Sequence, residues 1–197
     1  MQYMTLNEQI TKTISVLEEN QQLMDMLDYI SHIKLPNYYI AAGCVFQTIW
    51  NSLDGKNPNY GIKDIDVIYY NNTDLNRETD SKYQKIISDY CKKQKYDYEI
   101  DVANEARMHI WKKEKFGIDI APYLSSEDAI NKWVATTHAI GVTKENDEIK
   151  IYAPYGLNDI FNKIIRPIKH EYNTKEMYDK KAQSWNKRFN GLKIIEW

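Results

Sequence analysis

The sequence predicts an α+β fold, and three observations carry that prediction. Residues 38–70 read as strand, Gly turn, helix, loop and strand. A hairpin pattern follows at 138–154, and helical stripes flank both segments. Strands and helices interleave without the regular alternation of an all-parallel sheet. Hydrophobic residues make up 43% of the 197 and charged ones 27%, enough apolar material for one substantial core. We therefore expect a single domain over 1–197, with an N-terminal helical segment at 1–35 and a C-terminal helical segment at 156–197.

Residues 5–33 carry a helical pattern. Thr5 and Glu8 form a T-x-x-E capping box, Leu6, Ile10, Ile14 and Leu17 make the stripe, and Asn20 with "EENQQ" is a candidate break. Pro36 and Asn37 predict a turn, and "YYIAA" a short buried strand that ends at Gly43. From Cys44 the apolar period changes to that of a helix, with Phe46, Trp50 and Leu53 on one stripe and Gly55 placed to end it. "GKNPNYG" is a loop on composition. "DIDVIYY" alternates as a strand, and residues 80–94 read as a helix. "YDYEIDVA" alternates again, and "FGIDIAP" is a further short strand ended by Pro122. Ser125 and Asp128 box the start of a helix through Val134, and "HAIGVT" with "IKIYAP" forms a hairpin around "KENDE". Two C-terminal helices, "GLNDIFNKII" and "TKEMYDKKAQSWNKRF", complete the order.

The bulk composition narrows the function classes. Net charge is −2, so no global positive field points to a nucleic-acid partner. Apolar runs are too short for a membrane span, and the first residues lack a signal-peptide pattern. Two cysteines, Cys44 and Cys91, make neither a disulfide framework nor a Cys-based zinc site. A cytoplasmic protein with no membrane partner is the expectation.

The strand at 64–69 poses the chemical question. Ile65, Val67 and Tyr69 share one face, and Asp64, Asp66 and Ile68 the other. Two carboxylates side by side repel, and desolvating them costs several kcal/mol more unless a partner compensates. A third flanked acid, Asp101, lies in the next strand, with Asp119 in "GIDIA" as an alternative. Convergent carboxylates suit a hard divalent cation, Mg²⁺ or Mn²⁺, which takes oxygen ligands and bridges substrate phosphates. A helix start preceded by Gly, here Gly43 and Cys44, offers backbone N–H groups to a phosphate chain. Together these parts could hold a metal–nucleoside triphosphate for in-line displacement.

"AAGC", "DIDVIYY" and "EIDVANEARMHIW" resemble the signature of the nucleotidyltransferase superfamily related to DNA polymerase beta: a Gly-Gly or Gly-Ser turn, a D-x-D pair and a later lone acid. From about residue 38 the chain is similar to a bacterial nucleotidyltransferase-like family, through "NEARMHIW", "SSEDAINKW", "IYAPYGLNDIF", "RP" at 166–167 and "KKAQSWNKRF". The resemblance implies a mixed sheet flanked by helices. It implies Asp64, Asp66 and Asp101 as metal ligands and catalytic carboxylates, Asp101 also taking the proton of an attacking hydroxyl. It selects Asp101 over Asp119 as the third acid. Gly43 and Cys44 would form the phosphate turn, with Cys44 where the signature carries Gly or Ser. The implied reaction is NMP transfer from a nucleoside triphosphate to a hydroxyl of a small molecule, RNA or protein. The alternative is a non-catalytic nucleotide-binding or protein-interaction module on the same fold.

The remaining candidates carry weaker signals. Arg107 and His109, if extended, point the same way and would meet triphosphate charge; a surface ion pair of Arg107 with Glu105 or Glu99 is the competing reading. Asn104 reads as a turn residue first and a ligand second. Cys44 as a nucleophile lacks a His partner and reads as a small buried residue. Trp50, Trp111, Trp133 and Trp185 read as core, and the Lys-rich C-terminal stretch as a solvated helix face.

Overall fold

The computed structural model describes residues 4–197. Its centre is a five-stranded mixed sheet in the order β3-β2-β1-β4-β5. The strands are β1 (Tyr39–Ala41), β2 (Asp64–Tyr69), β3 (Glu99–Asn104), β4 (Gly141–Glu145) and β5 (Glu148–Tyr152). β2 and β3 are parallel; β1 is antiparallel to both β2 and β4, and β4 to β5. The α+β expectation holds. Asn146 and Asp147, both at positive φ, form the two-residue hairpin turn within "KENDE".

Alternation sorts the sheet's side chains as the sequence predicts. Ile65, Val67, Tyr69, Ile100 and Val102 enter the main core, together with α3 (Gly43–Leu53). Ile68, Tyr39 and Ala41 join a smaller cluster with Ile130 on the opposite face. Asp64, Asp66, Glu99 and Asp101 therefore share the side away from α3. The N-terminal pattern also resolves as read. α1 (Leu6–Glu18) starts at the Thr5–Glu8 capping box, and α2 (Gln21–Ile33) starts at Asn20, whose side chain accepts from Leu23 N at 3.2 Å.

Several elements differ from the sequence expectation. α4 is Arg77–Lys93, beginning earlier because Asn76 caps it and accepts from Glu78 N at 3.0 Å. Residues 116–122 form no strand. α5 (Met108–Phe116) occupies the preceding stretch, Gly117 ends it in the left-handed conformation, and the following residues pair with no strand of the sheet. α6 (Ser126–Asn131) stops before Val134. The helix expected over 156–165 is only α7 (Asn158–Phe161), because Ile164–Ile165 instead becomes β6, paired in parallel with β7 (Lys193–Ile194).

α8 (Lys175–Asn186) is no simply solvated helix. Trp185 and, just past the helix, Phe189 meet α3: Phe46 lies edge-on to Trp50 and Trp185, and Trp50 edge-on to Phe189. Such aromatic pairs add about 0.5–1.5 kcal/mol each beyond area burial. Trp50 also donates its indole N–H to the Ile160 carbonyl at 3.0 Å. This cluster fixes α8 against α3, and with it the cations that α8 carries.

Candidate functional site

Sheet register assembles the carboxylates. Asp66 is opposite Asp101 across the parallel β2–β3 pair, and opposite Ala41 across β1–β2. Ala41, Asp66 and Asp101 thus form one row over three adjacent strands, which in a sheet lie about 4.8 Å apart. Asp64 sits two residues along on the same face, opposite Glu99. The Asp66 carboxyl is pushed up to about 7, chiefly by burial, then by the charges of Asp64 and Asp101, against the pull of Lys181. Asp119 is elsewhere: it is exposed and pairs with Lys113 at 2.8 Å.

The chain between β1 and α3 is unusual. Ala42 adopts φ 59°, ψ −122°, a conformation that favours Gly. A Cβ on Gly43 would meet Gln47 Nε2 at 2.8 Å, so a side chain there would have to displace the end of the Gln47 side chain. Val45 and Phe46 both donate to the Ala42 carbonyl, leaving the Gly43 and Cys44 N–H groups at the helix start without an acceptor among the described residues. The Cys44 side chain turns inward and donates to the Ala41 carbonyl at 3.4 Å. Burial, then the charges of Asp66 and Asp64, hold that thiol well above its usual range, so it is an inert packing group. Any contribution of Cys44 to a ligand is through its amide.

Arg107 and His109 do not form the extended pair considered above. The Asn104 side chain accepts from Ala106 N at 3.1 Å and turns the chain into a 3₁₀ segment, Glu105–Arg107, that leads into α5. Arg107 is buried, where it pairs with Asp80 at 2.9 Å and donates to the Leu75 carbonyl at 3.2 Å. His109 lies in the first turn of α5, and its Nδ1 is buried with no hydrogen-bond partner among the described residues. Neither residue borders the cavity beside Asp66.

That cavity, about 330 Å³, is lined by both Asp66 and Asp101 and by Ala42. It brings in residues the sequence reading left aside: Glu105, Lys112, His138 and Lys181. Lys181 faces Asp66 and Asp64, and burial pulls its pKa down from the ordinary lysine value. Its Nζ is 3.2 Å from His138 Nε2. Burial, then the Lys181 charge, keeps the imidazole well below its usual range, so it is a neutral acceptor for the ammonium. Arg188, just beyond α8, donates to the Gly61 carbonyl at 2.8 Å and feels the Asp64 charge. The cations that compensate the D-x-D pair thus come from the C-terminal helix. A lysine four residues before Trp185, on the face that carries the apolar stripe, is the one signal in sequence that marks Lys181 as inward.

The donor chemistry suits a hard cation. All three candidate ligands are carboxylates, and a Mg²⁺ ion is commonly held by one or two carboxylates plus substrate phosphates. Among the described residues, no three His, Cys, Asp or Glu side chains are grouped as a ready-made cation cage. The arrangement is an in-register pair, Asp66 and Asp101, with Asp64 beside it. No described helix is long and apolar enough to cross a membrane.

Comparison with known proteins places this geometry. A solved NMR structure described as revealing a CCA-adding enzyme head domain is similar over 95% of this chain and 96% of its own, with a TM-score of 0.79 and 26% identity. No curated protein matches. A family model described as nucleotidyltransferase matches residues 28–194, which takes in the sheet, the Ala42–Gly43 turn, the three acids and α8. The chain belongs to the nucleotidyltransferase family.

Proposed function

We propose that the protein is a metal-dependent nucleotidyltransferase that moves a nucleoside monophosphate from a nucleoside triphosphate to a hydroxyl acceptor. The observation that carries this reading is the register of Asp66 and Asp101 beside the bare start of α3. Asp64, Asp66 and Asp101 would hold Mg²⁺ or Mn²⁺, which supplies charge neutralisation at the transferring phosphate. The Gly43 and Cys44 amides would cradle the phosphate chain. The acceptor oxygen forms a bond to the α-phosphorus, the bond from that phosphorus to the β-bridging oxygen breaks, and pyrophosphate leaves. Asp101 takes the acceptor's proton. Lys181 faces the side where negative charge accumulates and stabilises the departing group. A small molecule, RNA or protein could supply the hydroxyl, and a cytoplasmic setting supplies both triphosphate and Mg²⁺.

A non-catalytic nucleotide-binding role is the second reading, favoured by the absence of a preformed three-carboxylate group among the described residues. Calorimetric titration of each NTP with Mg²⁺ or Mn²⁺ into wild type and the Asp64→Asn/Asp66→Asn double variant tests the proposal. Metal-dependent binding that the double variant loses supports it, and no binding of any NTP to wild type overturns it. Release of pyrophosphate with a labelled acceptor separates the enzyme from the binder.

A further inference from the structure

The cavity beside the carboxylates has a second end that the transfer step leaves without a role. Glu105 lies there, 5% exposed, yet its carboxyl makes no hydrogen bond or ion pair among the described residues. The Lys112 charge partly offsets its burial, but no hydrogen-bond donor among the described residues meets the carboxyl, and a ligand in the cavity could supply one. Trp111, Trp133, Tyr123 and Met108 line the same cavity, Trp133 with its ring centroid 4.9 Å from that of His138 and Tyr123 with the Lys132 ammonium 5.1 Å from its ring centroid. Tyr123 is 3% exposed and its hydroxyl also lacks a hydrogen-bond partner among the described residues.

We propose that this end of the cavity receives the heterocyclic base of the nucleotide, and that Glu105 distinguishes one base from another by accepting an N–H from the base's hydrogen-bonding edge. The inference rests on the nucleotidyl-transfer reading above. Geometry places the two ends suitably. Asp101 and Asn104 are three positions apart along β3, about 10 Å of strand, and Glu105 follows at once. That span is comparable to the length of a nucleoside monophosphate, so phosphates at Ala42 and Asp66 leave the base near Glu105.

Other ligand classes fit less well. A sugar would need a dense set of hydrogen-bonding groups, whereas this wall is mostly aromatic and aliphatic. A cationic acceptor would meet Lys112 and Lys181, which line the same cavity. A planar ring with an N–H edge satisfies both the aromatic wall and the lone acid, as in aromatic stacking of bases elsewhere. Burial also pushes the Glu105 carboxyl up to about 8, so near neutral pH it can donate as well as accept.

Titration of wild type and Glu105→Gln with ATP, GTP, CTP, UTP and inorganic tripolyphosphate, each with Mn²⁺, tests the assignment. Wild type should prefer one or two bases by at least tenfold. Glu105→Gln should change the ratio between the best and worst base by about tenfold, leaving tripolyphosphate unchanged, and Glu105→Asp should restore part of the preference. Equal affinity of wild type for all four bases, or a uniform shift of all ligands including tripolyphosphate in Glu105→Gln, would overturn the inference while the transfer reading stands. Binding of tripolyphosphate without any gain from a base would overturn it as well. Failure of every ligand, tripolyphosphate included, would bring down the transfer reading and this inference together.

Discussion

Asp66 and Asp101 stand opposite each other in the same row of two parallel strands, and the Asp66 carboxyl is held up to about 7. A folded-state value above the unfolded value near 3.8 means that the native state binds this proton more tightly. The stability associated with it is full below about pH 4 and is lost as pH rises through 7. Asp66→Asn removes that loss. The variant should therefore gain thermal stability over metal-free wild type between pH 5 and pH 8, by on the order of 2–4 kcal/mol at the upper end. Melting curves across that range check the sign, and added Mn²⁺ should close the gap in wild type alone.

Asp101 and Asp119 share their apolar flanks but not their surroundings. Asp119→Asn breaks only an exposed pair with Lys113 and should leave stability essentially unchanged, with no effect on metal-dependent nucleotide binding. Asp101→Asn should abolish that binding. Paired titrations of the two variants read both outcomes.

Arg107 is predicted to be structural. Arg107→Ala strands Asp80, whose other oxygen accepts from the Tyr69 hydroxyl at 2.7 Å, in a buried position. Removing one partner of a buried pair typically costs about 3–5 kcal/mol. Chemical denaturation should show that loss, while the folded variant binds nucleotide as wild type does.

Lys181→Met should act in the opposite way, with modest change in stability and a marked change at the site. Loss of the ammonium that faces Asp66 and Asp64 should weaken triphosphate binding about tenfold, equivalent to about 1.4 kcal/mol. The NTP affinity of the variant, compared with its affinity for the corresponding nucleoside, isolates the phosphate contribution.

Ala42 carries a backbone conformation that Gly adopts freely. Relief of about 1–3 kcal/mol of strain outweighs the flexibility Gly adds to the unfolded chain. Ala42→Gly should therefore raise stability by about 1 kcal/mol, measured by denaturant midpoint.

The readable parts of this fold were those with local causes. The Thr5–Glu8 box, the alternation of Asp64 to Tyr69, and the Gly turn before α3 each follow from short-range sterics or periodicity, so the sequence shows them directly. "FGIDIAP" alternates equally well and forms no strand, because alternation alone does not dock a segment on a sheet, and this one pairs with neither outer strand, β3 or β5. The second half of the site was hidden for a related reason. Glu105 becomes a cavity acid only through the turn that Asn104 makes, and Lys181 becomes a site cation only through the docking of Trp185 and Phe189 on α3. Among the several lysines of α8, only the spacing of Lys181 four residues before Trp185 hints at which one points inward.

The aromatic clasp between α3 and the C-terminal helix also sets an order of events during synthesis. Asp101 leaves the ribosome 80 residues ahead of Lys181, and Asp64 and Asp66 more than 110 ahead, so for that interval the acids are made without their counter-charge. A nascent chain at that stage has its sheet row but no balanced site. It gains one only when Trp185 and Phe189 seat, which makes docking of the C-terminal helix on α3, and not formation of the sheet, the event that completes the charge balance.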